Sequence, residues 1–228
     1  MSYCYSKCLG MILSWKGDFY PLPFLECVTT VPFGFVYITL DGGGFAVNGY
    51  NPHDGVERAL NTLQYEYRFK CFQSADEALS FLKRALEEEP ILIGPVDMGF
   101  LVYDPYRKFK KGADHYVIAL GLDGDHLILN DPDGYLHIPI PLKDFVKAWN
   151  AEAITYKRGS YSLWLVKEKL GTPSVEKLYK DTLVLGLQNL REKGRKYPVE
   201  RASLYTGPSA IKKLAEDIKR HKLRRWIR

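Results

Sequence analysis

Apolar residues recur at three and four between Cys4 and Trp15, with Cys8, Met11, Ile12 and Trp15 on one face. That period predicts a helix, and Gly17 supplies its stop. Residues 18–54 lose the period. They are rich in Gly, Pro and aromatics, include Gly42-Gly43-Gly44, and predict a long loop with short strands. A short helix is expected over residues 55–63. A stronger signal follows: Ser74-Ala75-Asp76-Glu77 has the form of a capping box, and Ala78, Phe81, Leu82, Ala85 and Leu86 supply an apolar stripe that closes before Pro90.

The second half changes period. Residues 91–96 are a short apolar run suited to a buried strand. Residues 115–120 and 126–129 form two more, joined through the turn Asp123-Gly124-Asp125, and 135–140 a fourth after Asp131-Pro132-Asp133-Gly134. Residues 142–149 return to helical spacing and 161–166 to a strand. Helices first and antiparallel strands afterwards predict the α+β class. Beyond Gly171 the chain reads as helical, with one segment from Thr172-Pro173 to about residue 192 and another over residues 209–223. The expected organisation is an α+β domain over residues 1–170 and a helical C-terminal extension over 171–228.

Composition narrows the class. With 46% hydrophobic and 14% aromatic residues among 228, and a net charge of +5, the chain has the makings of a core and is not a disordered segment. No apolar run approaches the length of a membrane span. The N-terminal stretch lacks a small-residue cleavage site and is not read as a signal peptide, so the expected location is the cytoplasm. The charge is uneven. Residues 212–228 hold eight Lys and Arg against Glu216 and Asp217, a net of +6, and the other 24 cations and 25 acids leave −1. This tail could bind an anionic partner, or it could be a solvated helix end whose cations suit the helix dipole.

The four cysteines are Cys4, Cys8, Cys27 and Cys71, with no CxxC and no Cys/His pair at zinc-ligand spacing. Neither metal nor disulfide is expected, so each is a small buried hydrophobe or a chemically used thiol. Cys4 stands where the first helix begins, a position that favours a thiolate. His115 opens a strand, and pairing across the 123–125 turn puts it opposite residues 131–132, beside Asp131. A carboxylate next to an imidazole fixes its tautomer and stabilises its charged form. Cysteine, histidine and acid together would make a nucleophile, a base and an orienting group.

The run Tyr3-Cys4-Tyr5-Ser6-Lys7-Cys8-Leu9-Gly10-Met11 resembles the nucleophile helix of papain-like cysteine enzymes, with the pattern of bacteriocin-leader-peptidase-like proteins. His115-Tyr116-Val117-Ile118-Ala119-Leu120-Gly121 resembles their histidine strand, and Asn130-Asp131-Pro132 their NDP motif. Residues 94–103, leading to the histidine, are similar to the butirosin biosynthesis protein H N-terminal family. The resemblance implies a papain-like fold: a nucleophile helix packed on an antiparallel sheet. It also implies Cys4, His115 and Asp131 as catalytic residues, no cofactor, and transfer of an acyl group from a carrier-protein or peptide donor to an amine acceptor.

A departure bears on mechanism. The leader peptidases place an oxyanion-binding Gln a few residues before the Cys, whereas Met1, Ser2 and Tyr3 precede Cys4 here. The expectation is that the Cys4 backbone N–H serves, with Asn48, Asn51 or Gln73 as side-chain candidates. This favours acyl transfer over a cysteine peptidase or amide hydrolase; a second alternative is a non-catalytic binding module using the basic tail. Asp97 and Tyr103 could border the acceptor pocket, although Asp97 could equally pin a turn. Asn48 and His53 are further candidates for contact with substrate, within a region expected to shape specificity. Cys8 is expected in the core, and His126 and His137 at exposed strand edges.

Overall fold

In the computed structural model the first apolar period becomes helix α1 (Cys4–Trp15), which buries Tyr5, Ser6, Cys8, Leu9, Ile12 and Leu13. Gly17, at φ 89°, ends it, and the N–H groups of Gly17 and Asp18 turn back onto the carbonyls of Ser14 and Leu13. Trp15 departs from expectation. The buried stripe runs through Leu9 and Leu13, which leaves Trp15 53% exposed with Lys16 Nζ 5.1 Å from its ring centroid.

The structure describes residues 3–40, 43–48, 51–191 and 203–221. In chain order the elements after α1 are α2 (Leu22–Thr29), β1 (Phe35–Leu40), β2 (Gly43–Asn48), α3 (Pro52–Thr62), β3 (Tyr65–Lys70), α4 (Ala75–Ala85), β4 (Ile91–Asp97), β5 (Asp114–Asp123), β6 (His126–Asp131), β7 (Tyr135–Pro141), α5 (Leu142–Asn150), β8 (Leu163–Lys169), α6 (Val175–Arg191), β9 (Ser203–Thr206) and α7 (Gly207–His221). They fall into two compact units, Met1–Leu25 with Ala59–Thr172, and Glu26–Arg58 with Pro173–Arg228. The division after Thr172 lies beside the boundary expected after residue 170, but residues 26–58 group with the C-terminal segment.

The first unit is built on a six-stranded antiparallel sheet in the order β3-β8-β4-β5-β6-β7. Its strands alternate between two faces, as a pleated sheet requires. Ile91, Ile93, Val117, Ala119, Leu163 and Leu165 join Leu82 of α4 and Phe145, Ala148 and Trp149 of α5 in one core. The intervening side chains meet α1: Tyr5 lies edge-on to Tyr116, and Tyr116 packs on Trp164 with ring centroids 5.9 Å apart. Ser74 caps α4 by accepting from the Glu77 N–H, as its sequence predicts. The α+β class and the helix-on-antiparallel-sheet layout expected from the sequence are what the structure has. Strand β3, on the sheet edge, is not among the expected elements, although Tyr65, Tyr67 and Phe69 alternate with Glu66, Arg68 and Lys70 in the period of a half-exposed strand.

Gly94 is where β4 passes against the Tyr116 ring, and a Cβ there would fall inside the ring's van der Waals boundary. Gly94→Ala is therefore expected to destabilise the chain by about 1–3 kcal/mol, the usual cost of overpacking. Urea denaturation measures it, and an unchanged midpoint would contradict this packing.

In the second unit β1 pairs antiparallel with both β2 and β9. Tyr37 of β1 donates to Asp217 of α7, and Gly186 of α6 lies against the Phe33 ring. The loop expected over residues 18–54 thus contains α2, a 3-10 turn at Val31–Phe33 and two strands. The reason is non-local, because β1 finds its partner β9 more than 160 residues away in the register. No helix among the described residues is long and apolar enough to cross a membrane.

Candidate active site

Helix α1 starts at Cys4, with Tyr3 extended before it and making no side-chain cap. Helix geometry leaves the Cys4 N–H without an intrahelical acceptor and places the positive end of the helix dipole there. One turn on, Lys7 Nζ donates to the Pro132 carbonyl at 3.2 Å and to Asp133 Oδ1 at 3.4 Å. The start of α1 is thereby tied to the turn that follows Asp131.

His115 sits near the start of β5, opposite Val96 of β4. Its Nε2 lies 2.9 Å from Asp131 Oδ1, and both residues are 2% exposed. The meeting is not the directly opposed pair expected from counting back from the turn. Gly124-Asp125 make a two-residue turn, a bulge between Ala119 and Gly121 shifts the ladder, and Ile118 pairs with Asn130. One step further on this register sets Val117 across from Asp131. His115, on the same face as Val117, reaches the carboxylate diagonally, a contact within range of long side chains.

The thiol of Cys4 stands beside the same imidazole, near enough for hydrogen bonding and charge to raise its pKa. Since Nε2 faces Asp131, the thiol is left the Nδ1 side. Asp131 Oδ1 also accepts the Asp133 N–H at 2.8 Å, and Oδ2 accepts the Tyr103 hydroxyl at 2.7 Å. Sequence reasoning missed Lys7 and the bond from Tyr103 to Asp131. Both link residues far apart in the chain, and no local pattern signals either.

Electrostatics follow from these contacts. Burial disfavours a charged His115, but the bonds to Asp131 and Cys4 outweigh it and push its pKa up to about 10. Burial likewise opposes charge on Asp131, yet the bonds from His115 and Tyr103 hold its carboxyl below the usual range. Tyr103 is driven upward, by burial first and then by the Asp131 charge, and so stays a protonated donor. Burial also pushes the Cys8 thiol well above its ordinary value. Cys8 is fully buried on α1, as expected of a core residue. Of the remaining thiols, Cys27 and Cys71 are exposed and Cys4 is half-buried.

The other candidates fall elsewhere or do other work. Asp97 is buried, and its Oδ1 accepts the N–H groups of Gly99 and Gly112 at 2.8 and 3.0 Å, so it pins the β4–β5 connection. His53 is not a loop residue: it lies in α3 of the second unit, buried, with its N–H on Asn51 Oδ1. Asn48 belongs to β2, where it pairs with Phe35, and its side chain lies outside the described residues. Gln73 is exposed in the turn before α4. His137 is exposed, and the half-buried His126 has its Nδ1 2.7 Å from Asp125 Oδ1. In the basic segment Lys213 pairs with Asp217 at 2.6 Å, and residues 222–228 lie outside the described residues.

His115, Asp131 and Asp133 also form a set whose donor atoms lie within 4.8 Å of one another, the spacing a metal ion could use. Their closeness already has an explanation. Nε2 and Oδ1 face each other at hydrogen-bond distance, so a cation between them would have to displace the shared proton.

The chain is similar to known proteins. A model of the family "Butirosin biosynthesis protein H, N-terminal" matches residues 4–132, a span that includes Cys4, His115 and Asp131. An uncharacterized Bacillus subtilis (strain 168) protein, YobF, is 32% identical over 178 residues, which is 78% of this chain and 57% of that protein. The chain thus spans little more than half of that relative's length. Among solved structures, the peptidase domain of Streptococcus ComA, a bi-functional ABC transporter involved in a quorum sensing pathway, matches 72% of this chain and 90% of that one, at 14% identity and a TM-score of 0.44. A Bacillus anthracis protein described as a C39-like peptidase matches 73% and 89%, at 17% identity and a TM-score of 0.47. Both structural likenesses are partial.

Proposed function

The chain belongs to the butirosin biosynthesis protein H N-terminal family, and we propose that it is a cysteine enzyme of acyl transfer, with Cys4 as nucleophile, His115 as proton shuttle and Asp131 as orienting carboxylate. The observation that carries this reading is a buried imidazole bonded to a buried carboxylate with a thiol at a helix start beside it. Perturbed groups of this kind cluster at functional sites, and a thiol beside a base that a carboxylate orients is the arrangement nucleophilic catalysis uses.

The reaction balances on these residues. The proton given up by Cys4 Sγ resides on His115 Nδ1, and the sulfur attacks the carbonyl carbon of a thioester or amide donor. The tetrahedral oxyanion is met by the Cys4 N–H at the start of α1. As it collapses, the bond from carbon to the leaving sulfur or nitrogen breaks, and His115 returns its proton to that atom. An amine then attacks the acyl-Cys4 thioester and gives its proton to His115. The carbon–Sγ bond breaks, and the thiol is restored. With water in place of the amine, the same steps make a hydrolase.

Transfer is the preferred outcome, and the test is product partition. The chain is incubated with a short acyl thioester of N-acetylcysteamine, with and without a primary amine. A mass increase of one acyl group on the Cys4 peptide is expected, and the amide should replace the free acid as amine is added. No acyl adduct on Cys4 would defeat the proposal. Free acid as the sole product at high amine concentration would move the reading to hydrolysis.

A further inference from the structure

We propose that Tyr103 is a positioning residue of this site: its hydroxyl holds Asp131 in the one orientation that faces His115. The proposal rests on the acyl-transfer reading only for the chemistry that the positioned imidazole serves.

A carboxylate can rotate and can accept a proton on either oxygen, and in Asp131 each oxygen is assigned. Oδ1 takes His115 Nε2 and the Asp133 N–H, while Oδ2 takes the Tyr103 hydroxyl at 2.7 Å. A phenol has a single proton to give. Spent on Oδ2, it blocks protonation of that oxygen and stops the carboxyl from turning away from the imidazole. Without it, a buried oxygen would lose its side-chain donor, which is costly for a charged group.

The phenol arrives on a braced segment. Asp97 ties Gly99 to Gly112 at the two ends of the β4–β5 connection. Within it, Asp104 Oδ1 accepts the Tyr106 N–H at 2.8 Å, Asp104 Oδ2 binds Lys110 at 2.8 Å, and Arg107 donates to the Val102 carbonyl at 3.3 Å. The Tyr103 ring packs against Tyr135 with centroids 5.2 Å apart. The other titratable groups around it are occupied otherwise. Asp104 is paired with Lys110, Asp133 with Lys7, and Cys8 is a buried thiol. Pre-positioning of a catalytic acid or base by a second ring of bonded side chains is a general requirement of precise sites.

The test is the pH profile of Cys4 alkylation by iodoacetamide, read by peptide mapping, in the wild type and in Tyr103→Phe. Loss of the bond raises the pH at which Asp131 takes up a proton. The acid limb of the profile should therefore move up by about one pH unit, and the plateau rate should fall by roughly tenfold. Tyr106→Phe, on the same connection but 65% exposed, should leave the profile unmoved. A Tyr103→Phe profile that superimposes on the wild type would overturn the proposal, even if the variant is less stable to urea, because a purely structural tyrosine predicts that pattern. A wild-type Cys4 profile that is unchanged by His115→Ala would overturn the acyl-transfer reading as well. One measurement needs no variant: the Tyr103 hydroxyl proton should give a slowly exchanging, downfield NMR resonance in the wild type, and its absence would also overturn the proposal.

Discussion

Replacing Cys4 by serine is expected to remove acyl-enzyme formation altogether and to lower thioester turnover by at least about 10⁴-fold, since a nucleophile and its base act as one unit. The cause is chemical, because the hydroxyl is held to the same imidazole but ionises far less readily than a thiol. Folding should change little, because Cys4 is only half-buried. Cys8 supplies the contrast on the same helix. It has a thiol too, but burial keeps it protonated, so Cys8→Ala should cost packing energy and leave acylation of Cys4 in place. Intact-mass analysis of both variants after exposure to the thioester reads the difference. An adduct that persists in Cys4→Ser and vanishes in Cys8→Ala would reverse the assignment.

Asp131→Asn carries the second large effect. An amide in place of the carboxylate can donate where it should accept, which turns the imidazole to the wrong tautomer, and loss of this kind costs about 10⁴-fold in a comparable triad. It also changes the pH range in which His115 is charged. His115 has its pKa raised to about 10 in the folded chain. Its contribution to stability is therefore complete below the ordinary imidazole value of about 6.5 and is lost as pH rises toward the folded value. Asp131 is depressed, so its contribution is present above the ordinary carboxyl value of about 3.9 and is lost as pH falls through its lowered folded value. Without Asp131 the burial penalty on the imidazolium loses its main counterweight. The alkaline limb of Cys4 alkylation should then shift to lower pH, and the stability difference from wild type should be largest between those two ordinary values. Urea midpoints across the pH range test this, and a pH-independent difference would contradict the coupling.

Much of this site is legible in the chain because its parts are local. The first helix shows in the spacing of Cys8 and Ile12, α4 in its Ser74 cap, and β4 to β7 in short apolar runs separated by Gly and Asp turns. Those elements alone bring Cys4, His115 and Asp131 to one unit. What the sequence conceals depends on partners far away. Strand β9 is four residues long and exists by pairing with β1, so neither it nor the true neighbourhood of residues 26–58 could be read from periodicity. Counting back from the turn sets His115 directly opposite residues 131–132 because it centres the turn too early: the turn falls at Gly124-Asp125, and the bulge at Ala119–Gly121 brings the ladder only one residue back, which leaves Asp131 on a diagonal. Tyr103 and Asp97 were both legible as residues near the histidine. Their roles were not, because a side chain that braces a carboxylate and one that pins a turn look alike until their partners are known.

Timed labelling of the native chain with iodoacetamide at about pH 6, well below the ordinary thiol pKa of about 8.5, tests the pairing of thiol and imidazole most directly. Cys4 should react first despite the greater exposure of Cys27 and Cys71, and His115→Ala should erase that preference. Labelling of Cys27 or Cys71 ahead of an inert Cys4 would contradict it.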